Sequence, residues 1–470
     1  MAFSMCTSLL NMVSLGLTGV FIMKQMQHFG SGMAQLQLGP PPMAAMAWLV
    51  LALVSISALF SALSLAIAAF ARSSKEGQYY LMPLLLIMLP LMMLPMLPAA
   101  ELDLGTSLIP VTGVMLLLRS LIEGQFNDAL LYSPPVIAVT AVCCLLAIRW
   151  AIDQFNDETV LFRESERFGL GLWMRHLVRD RRDTPSAGEA VLCGVLLLLI
   201  KFFAGFVVVG PQSWKDIASI TLITQIALIA APALLMTIML TRSPRKTLLL
   251  RMPRPMAIPA AVLLAITLGP LITFVGQGIE WLYPVSEDTL RSLQPFAAAL
   301  KEAPLPYVLL LVALTPAICE ELAFRGFILS GLRHMGHRWA AIILSSVFFG
   351  LTHGLIQQSL AACTVGVVIG YIAVQTGSLL PGIFFHLTHN TMMVLAGRVT
   401  AEQLADHSAL RWLFRAADAT EFGYHWYIAV IGGIVSIGVL LWFRSLPYQP
   451  YAEEKLQEAL DHQSAHAAAR

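Results

Sequence analysis

LLLVALTPAICEELAFRGFIL, residues 309–329, is an apolar run broken by three formal charges, Glu320, Glu321 and Arg325. At ~1.5 Å of rise per residue, a helix of this length covers the ~30 Å hydrocarbon core of a bilayer. An ionised side chain at that depth costs about 2.5 to 3.5 kcal/mol on insertion scales, so each of the three needs a partner or a task. On an α-helix Glu321 and Arg325 lie four apart on one face and can neutralise each other. Glu320 is turned ~100° away from Glu321, which leaves it free to act as a general base.

The rest of the chain agrees with a membrane reading. Of 470 residues, 57% are hydrophobic and 12% charged, against about a quarter charged in a soluble domain, and the mean hydropathy is +0.75. The net charge of +1 provides no field to recruit nucleic acid. The six cysteines, Cys6, Cys143, Cys144, Cys193, Cys319 and Cys363, sit in apolar sequence without metal-type spacing and read as free thiols. Apolar runs are placed near 5–23, 47–71, 79–99 and 129–151, then near 190–209, 217–240, 257–275, 305–333, 338–354, 360–377, 380–397 and 425–443. The fold expected is all-α and polytopic, with about 12 spans in blocks of four and eight. Residues 1–152 form the first block and 190–445 the second. Between them, 153–189 holds six Arg and eight Asp or Glu and reads as a charged cytoplasmic linker. Residues 446–470 are a polar tail in which AEEKLQEALDH predicts a short surface helix. With the linker in the cytosol, 19 of the 29 Lys and Arg fall on that side, which places both termini there in a multi-pass protein of the cell membrane if the source is prokaryotic.

Two further polar clusters lie in late spans. Phe349 and His353 are four apart at the end of IILSSVFFGLTHG, and His386 and Asn390 are four apart in PGIFFHLTHNTMMVL. Counting from the nearest interface puts Glu320 and His353 at a similar depth, ~20 Å, so the two are expected to meet. His386 is only six residues after Leu380 and reaches that depth only if the Gly377–Pro381 turn dips into the protein. A carboxylate and an imidazole can share and activate a water, while a second His and an Asn amide donate to a developing oxyanion. The rival chemistry is a divalent ion such as zinc held by Glu320, His353 and His386. No H-E-x-x-H occurs, so the sequence leaves metal and no metal both open.

EELAFR, FGLTH and HLTHN, in this order on successive spans, resemble the E-E-x-x-x-R, F-x-x-x-H and H-x-x-x-N/B motifs of the CPBP family, which groups type II CAAX prenyl proteases with bacteriocin-processing and self-immunity membrane proteins. The resemblance covers about 190–445. It implies that Glu320 and His353 activate the attacking water, that His386 and Asn390 bind the oxyanion, and that Glu321, Arg325 and Phe349 support the site. It implies an intramembrane endopeptidase acting on a membrane-associated peptide. The family is commonly labelled metalloprotease, yet a metal-free glutamate mechanism is also argued for it. In the first block, FARSSKEGQYYLMPLLL (Phe70–Leu86) and ELDLGTSLIPVTGVMLLLR (Glu101–Arg119) resemble the C-terminal half of the permease subunit of sodium-efflux-type ABC exporters. That resemblance implies a fusion with a partial permease lacking its N-terminal part. No G-K-[ST] phosphate loop is present, so an ATPase and further permease subunits would be separate partners.

Simpler readings stand beside these. Glu320, Glu321 and Arg325 also suit an ion-paired transporter core, and His389 suits helix packing. His334 and His337 read as solvated turn residues, and Lys201 as a snorkelling or acid-paired lysine. Arg242, Arg245, Lys246, Arg251 and Arg254 read as a basic loop without an acid, facing lipid headgroups. The 22 methionines read as core filler. Besides the protease, two functions of other classes remain: a non-catalytic component of an ABC-type export system, and an immunity-type binder that sequesters a peptide.

Overall fold

The computed structural model describes residues 43–68, 74–96, 100–156, 181–207, 213–285, 287–399, 406–416 and 422–468. The chain divides into two compact units, Met1–Arg167 and Phe168–Arg470. Nearly all regular structure is helical, as lipid requires: with no water to satisfy backbone N–H and C=O groups, a spanning segment must close its hydrogen bonds internally. Among the described residues eight helices are long and apolar enough to cross a membrane. This is a multi-pass integral membrane protein.

In the first unit, α1 (Met43–Ala68), α2 (Ser74–Met93) and α4 (Phe126–Asn156) answer the runs expected near 47–71, 79–99 and 129–151. The run near 5–23 lies outside the described residues. An unexpected element, α3 (Thr112–Ile122), has 11 residues, too few to span at ~1.5 Å each. Val114, Leu116 and Leu117 pack it against Ala52, Ala129 and Val136 of its neighbours. Within ELDLGTSLIPVTGVMLLLR, Asp103 and Thr106 form a reciprocal capping box, and Arg119 donates to the carbonyls of Pro95 and Ala100 at 3.2 and 3.1 Å.

The second unit comprises α5 (Ala187–Val207), α6 (Trp214–Leu240), α7 (Ala257–Leu282), α8 (Glu287–Glu302), α9 (Leu305–Met335), α10 (Arg338–Leu351), α11 (Ile356–Thr376), α12 (Leu380–Ala396), α13 (Trp426–Arg444) and α14 (Ala452–Ala468). The amphipathic α8 lies in what reads as a polar loop, and a two-stranded antiparallel hairpin, β1 (Phe414–Ala416) and β2 (Phe422–Tyr424), precedes α13. The charged α9 is the inner helix. Its apolar window is 56% buried and that of α11 50%, against 28% or less for the other spans. Outer helices instead leave Ile238, Ile434 and Leu235 exposed, the apolar faces that lipid covers. The α10–α11 contact depends on Gly350. A Cβ there would lie 2.2 Å from the Cys363 Sγ and 2.5 Å from the Ser359 carbonyl, so no larger residue fits without separating the helices.

At the end of this unit where α9 turns into α10, three expectations are revised. His334 is not solvated: its ring nitrogens bond to the Thr184 hydroxyl at 2.8 Å and to Glu453 at 2.9 Å. Lys246 of the basic loop has an acid, Asp183, at 2.6 Å, because residues 181–183 run beside the end of α6. The tail helix is docked, not merely superficial. Arg333 donates to both Glu454 oxygens at 3.0 and 2.9 Å, to the Gln449 carbonyl and to the Tyr448 hydroxyl.

Burial pushes the Glu454 carboxyl up, but the Arg333 guanidinium, the Tyr448 hydroxyl and the Tyr451 amide outweigh it and hold the group below the usual carboxylate range. The Glu453 carboxyl is also lowered, chiefly by its hydrogen bond with His334. Carboxylates depressed in the folded state add stability above their unfolded pKa of about 4.3 and lose it as pH falls through the folded value. Acidification from pH 7 to 3 is therefore expected to release α14 before the membrane helices loosen. Hydrogen exchange over 452–461 would register this; protection there that persists at pH 3 would contradict it.

Candidate active site

The site is built on α9, whose backbone is not uniformly α-helical. Wide i→i+5 turns run over Leu309–Leu314 and Glu321–Ile328, with an α segment, Thr315–Glu320, between them. Pro316 lacks an N–H and breaks the regular ladder at the start of that segment. Such turns recur at functional sites, and here they bracket the two carboxylates. Glu320 is 6% exposed, Glu321 0%, Arg325 1% and His386 4%.

Arg325 and Glu321 pair as their spacing predicts, Nη1 donating to Oε1 at 3.0 Å. Arg325 Nη2 donates to the Gly366 carbonyl of α11 at 3.3 Å, and its guanidinium lies 4.2 Å from the Phe349 ring centroid. A Cβ at Gly366 would sit 3.2 Å from that Nη2, so glycine lets the cation reach the carbonyl. Phe349 stands between the imidazoles, edge-on to His353 at 4.9 Å and to His386 at 5.9 Å.

His386 joins the two glutamates. Its Nδ1 lies 2.9 Å from Glu321 Oε1 and its Nε2 3.8 Å from Glu320 Oε2. An ionised carboxylate only accepts, so the Nδ1 carries the proton and donates it to Glu321. The Gly377–Pro381 turn that leads to His386 is buried in the protein. Ser378 and Leu379 are 0% and 1% exposed, the Leu379 amide donates to the Leu249 carbonyl at 3.0 Å, and the Ser378 hydroxyl to that of Arg251 at 2.6 Å. Helix α12 thus starts inside the protein, held by the loop before α7.

The pairing expected from depth alone is replaced. Glu320 approaches His386, whereas the hydrogen bond described for His353 runs from its Nδ1, as donor, to the Phe349 carbonyl at 3.1 Å. Nor does Glu320 stand apart from Glu321, since one imidazole links them. Asn390 Nδ2 donates to the Val312 carbonyl of α9 at 3.2 Å. His389 is buried with its ring stacked on Phe385, as a packing residue would be. Glu320, His353 and His386 do not close into a metal-binding group: among the described residues no three His, Cys, Asp or Glu stand close enough to hold an ion.

One polar residue escapes the motif reading. Gln225, in a wide-turn segment of α6 (Ile223–Ala230), donates from Nε2 to Glu320 Oε1 at 2.8 Å. Its signal in the sequence is plain in retrospect, a lone amide in ITLITQIALIA, and an amide in lipid needs a partner for the same reason a charge does. Gln225 Oε1 and Glu321 Oε2 are buried without a hydrogen-bond partner in the protein. Both acceptors need a donor from water or a bound peptide. Lys201 of α5 lies within electrostatic reach of Glu320. Arg325 offsets the charge of Glu321 in direct contact, which lowers the cost of holding the pair in lipid.

No curated protein and no solved structure matches the chain. Residues 302–392 match the family model described as type II CAAX prenyl endopeptidase Rce1-like. The segment runs from the last residue of α8 into α12, and so takes in all seven motif residues from Glu320 to Asn390. The chain thus carries an Rce1-like domain of the type II CAAX prenyl endopeptidase kind over residues 302–392.

Proposed function

We propose that the second unit is an intramembrane endopeptidase that hydrolyses a membrane-associated peptide with water activated by Glu320. The observation that carries this reading is the 3.8 Å separation of Glu320 Oε2 and His386 Nε2, inside a segment matching a peptidase family. That gap exceeds a hydrogen bond and suits one shared water. Glu320 takes a proton from the water as its oxygen attacks the peptide carbonyl carbon, then returns the proton to the leaving amine as the C–N bond breaks. Glu321, held by Arg325, fixes the His386 ring so that Nε2 faces the water. The resemblance assigns the oxyanion to His386 and Asn390; with its Nδ1–H held by Glu321, His386 donates there only when Nε2 carries a second proton. Asn390 takes up that task by exchanging its bond to the Val312 carbonyl for one to the substrate. His353 closes on the water across the Phe349 edge when the peptide is bound, since catalytic contacts are often loose before substrate arrives.

The test is incubation of the purified full chain with membrane-associated peptides, lipidated and unlipidated, with products identified by mass spectrometry. Intact peptides throughout, with an ATPase co-purifying from membranes, would replace this reading with the export-component one.

Gln225 positions Glu320 in this scheme. Gln225→Leu removes a hydrogen bond to a charged group, worth about 1.5 to 3 kcal/mol, which as lost transition-state stabilisation is roughly 10- to 150-fold in rate. The loss is expected in kcat with KM little changed. Steady-state kinetics that show a KM effect alone would assign Gln225 to substrate binding instead.

A further inference from the structure

A cavity of about 700 Å³ opens at the end of the second unit where α10 begins and α11 and α13 end, lined by Arg338, Trp339, Tyr371, Arg444 and Tyr448 with an apolar wall from α13. It takes no part in the proposed chemistry. Its charges are unbalanced. Neighbouring Arg333 is neutralised by Glu454, but Arg338 and Arg444 have no carboxylate partner among the described residues. Both cations line this one cavity, and the Arg338 guanidinium lies 5.1 Å from the Tyr448 ring. Arginine's planar fork of donors matches phosphate oxygens.

The remaining lining is apolar or amphipathic. The Trp339 ring stacks on Tyr371 at 5.7 Å with planes 3° apart, forming a flat aromatic wall of the type found at headgroup level. Along α13, Ile437 and Leu441 are 59% and 57% exposed and carry the cavity's apolar side onto the lipid-facing surface. Arg338 opens α10 and Arg444 closes α13, so the cationic end lies where spans meet water. One occupant satisfies both halves: an anion at the interface joined to a chain that runs into hydrocarbon.

We propose that this cavity binds an anionic glycerophospholipid, its phosphate between Arg338 and Arg444 and an acyl chain along Ile437 and Leu441 of α13. Basic pockets between membrane helices bind anionic headgroups in this way, and charge complementarity selects the lipid over a zwitterionic one.

The test is native mass spectrometry of the full chain in detergent, titrated with phosphatidylglycerol or phosphatidylcholine. Wild type is expected to retain phosphatidylglycerol about tenfold more tightly, and Arg338→Gln/Arg444→Gln to lose that preference. Arg245→Gln/Arg254→Gln removes the same charge from the exposed basic loop and is expected to keep it. Thermal melting in lipid-free detergent, expected to be the same for all three proteins, separates a lost site from a damaged fold. Equal loss in both double variants, or equal retention of the two lipids by wild type, would overturn the proposal, as would full displacement of phosphatidylglycerol by millimolar inorganic phosphate.

Discussion

Glu320→Gln is expected to lower peptide cleavage by about 10²- to 10⁴-fold, the range lost with a general base, while abundance and melting in detergent stay near wild type. The substitution keeps the side chain's shape and a hydrogen bond with Gln225, whose amide can turn to offer its carbonyl in place of Nε2. Only the proton acceptor disappears. Because Glu320 Oε1 is occupied by Gln225, Oε2 is the oxygen left to work, and it is the one that faces His386. Cleavage rates from mass spectrometry, set beside a melting curve for the same preparation, separate lost chemistry from lost fold. Glu320→Gln cleaving at the wild-type rate would remove Glu320 as the base and the proposed mechanism with it.

Arg325→Met is expected to have the largest effect on stability. Arg325 is the formal cation in contact with a fully buried carboxylate, and Glu321 already has one oxygen without a partner. Removing one member of a buried pair leaves an uncompensated charge and costs about 3 to 5 kcal/mol. The contact with the Phe349 face adds up to about 2 kcal/mol where both groups are desolvated. The variant should melt markedly lower in detergent and accumulate poorly. The paired change Glu321→Gln/Arg325→Met removes both charges, and most of the stability should return. Activity should not, because His386 loses the carboxylate that fixes its Nδ1–H. A single variant that melts within a degree of wild type would show that the pair carries no such burden.

Much of this architecture is legible in the chain itself. Every described run expected as a span is met by a helix, because in lipid apolar length decides where helices form and the backbone has no other way to satisfy itself, but the helices near 79–99, 338–354 and 380–397 are not among the eight long and apolar enough to cross a membrane. The Glu321–Arg325 pair is legible too, being set by local helical spacing that survives the wide turns of α9. What fails is whatever depends on distance between helices. Elements such as α3, α8 and the β1–β2 hairpin are too short or too polar to announce themselves by hydropathy. Tyr448, Glu454 and Arg333 meet across more than a hundred residues, so a tail that reads as polar surface carries a buried ion pair.

The sequence by itself determined that this is a helical membrane protein with costly polar groups in its late spans, since the price of charge in lipid is set residue by residue. Only the tertiary structure decided which of those groups meet. The buried turn at Gly377–Pro381 carries His386, and not His353, to the two glutamates, and α6 brings Gln225 to Glu320. Those contacts are set by the packing of helices and the depth at which each begins, and no count along one strand of sequence contains either quantity.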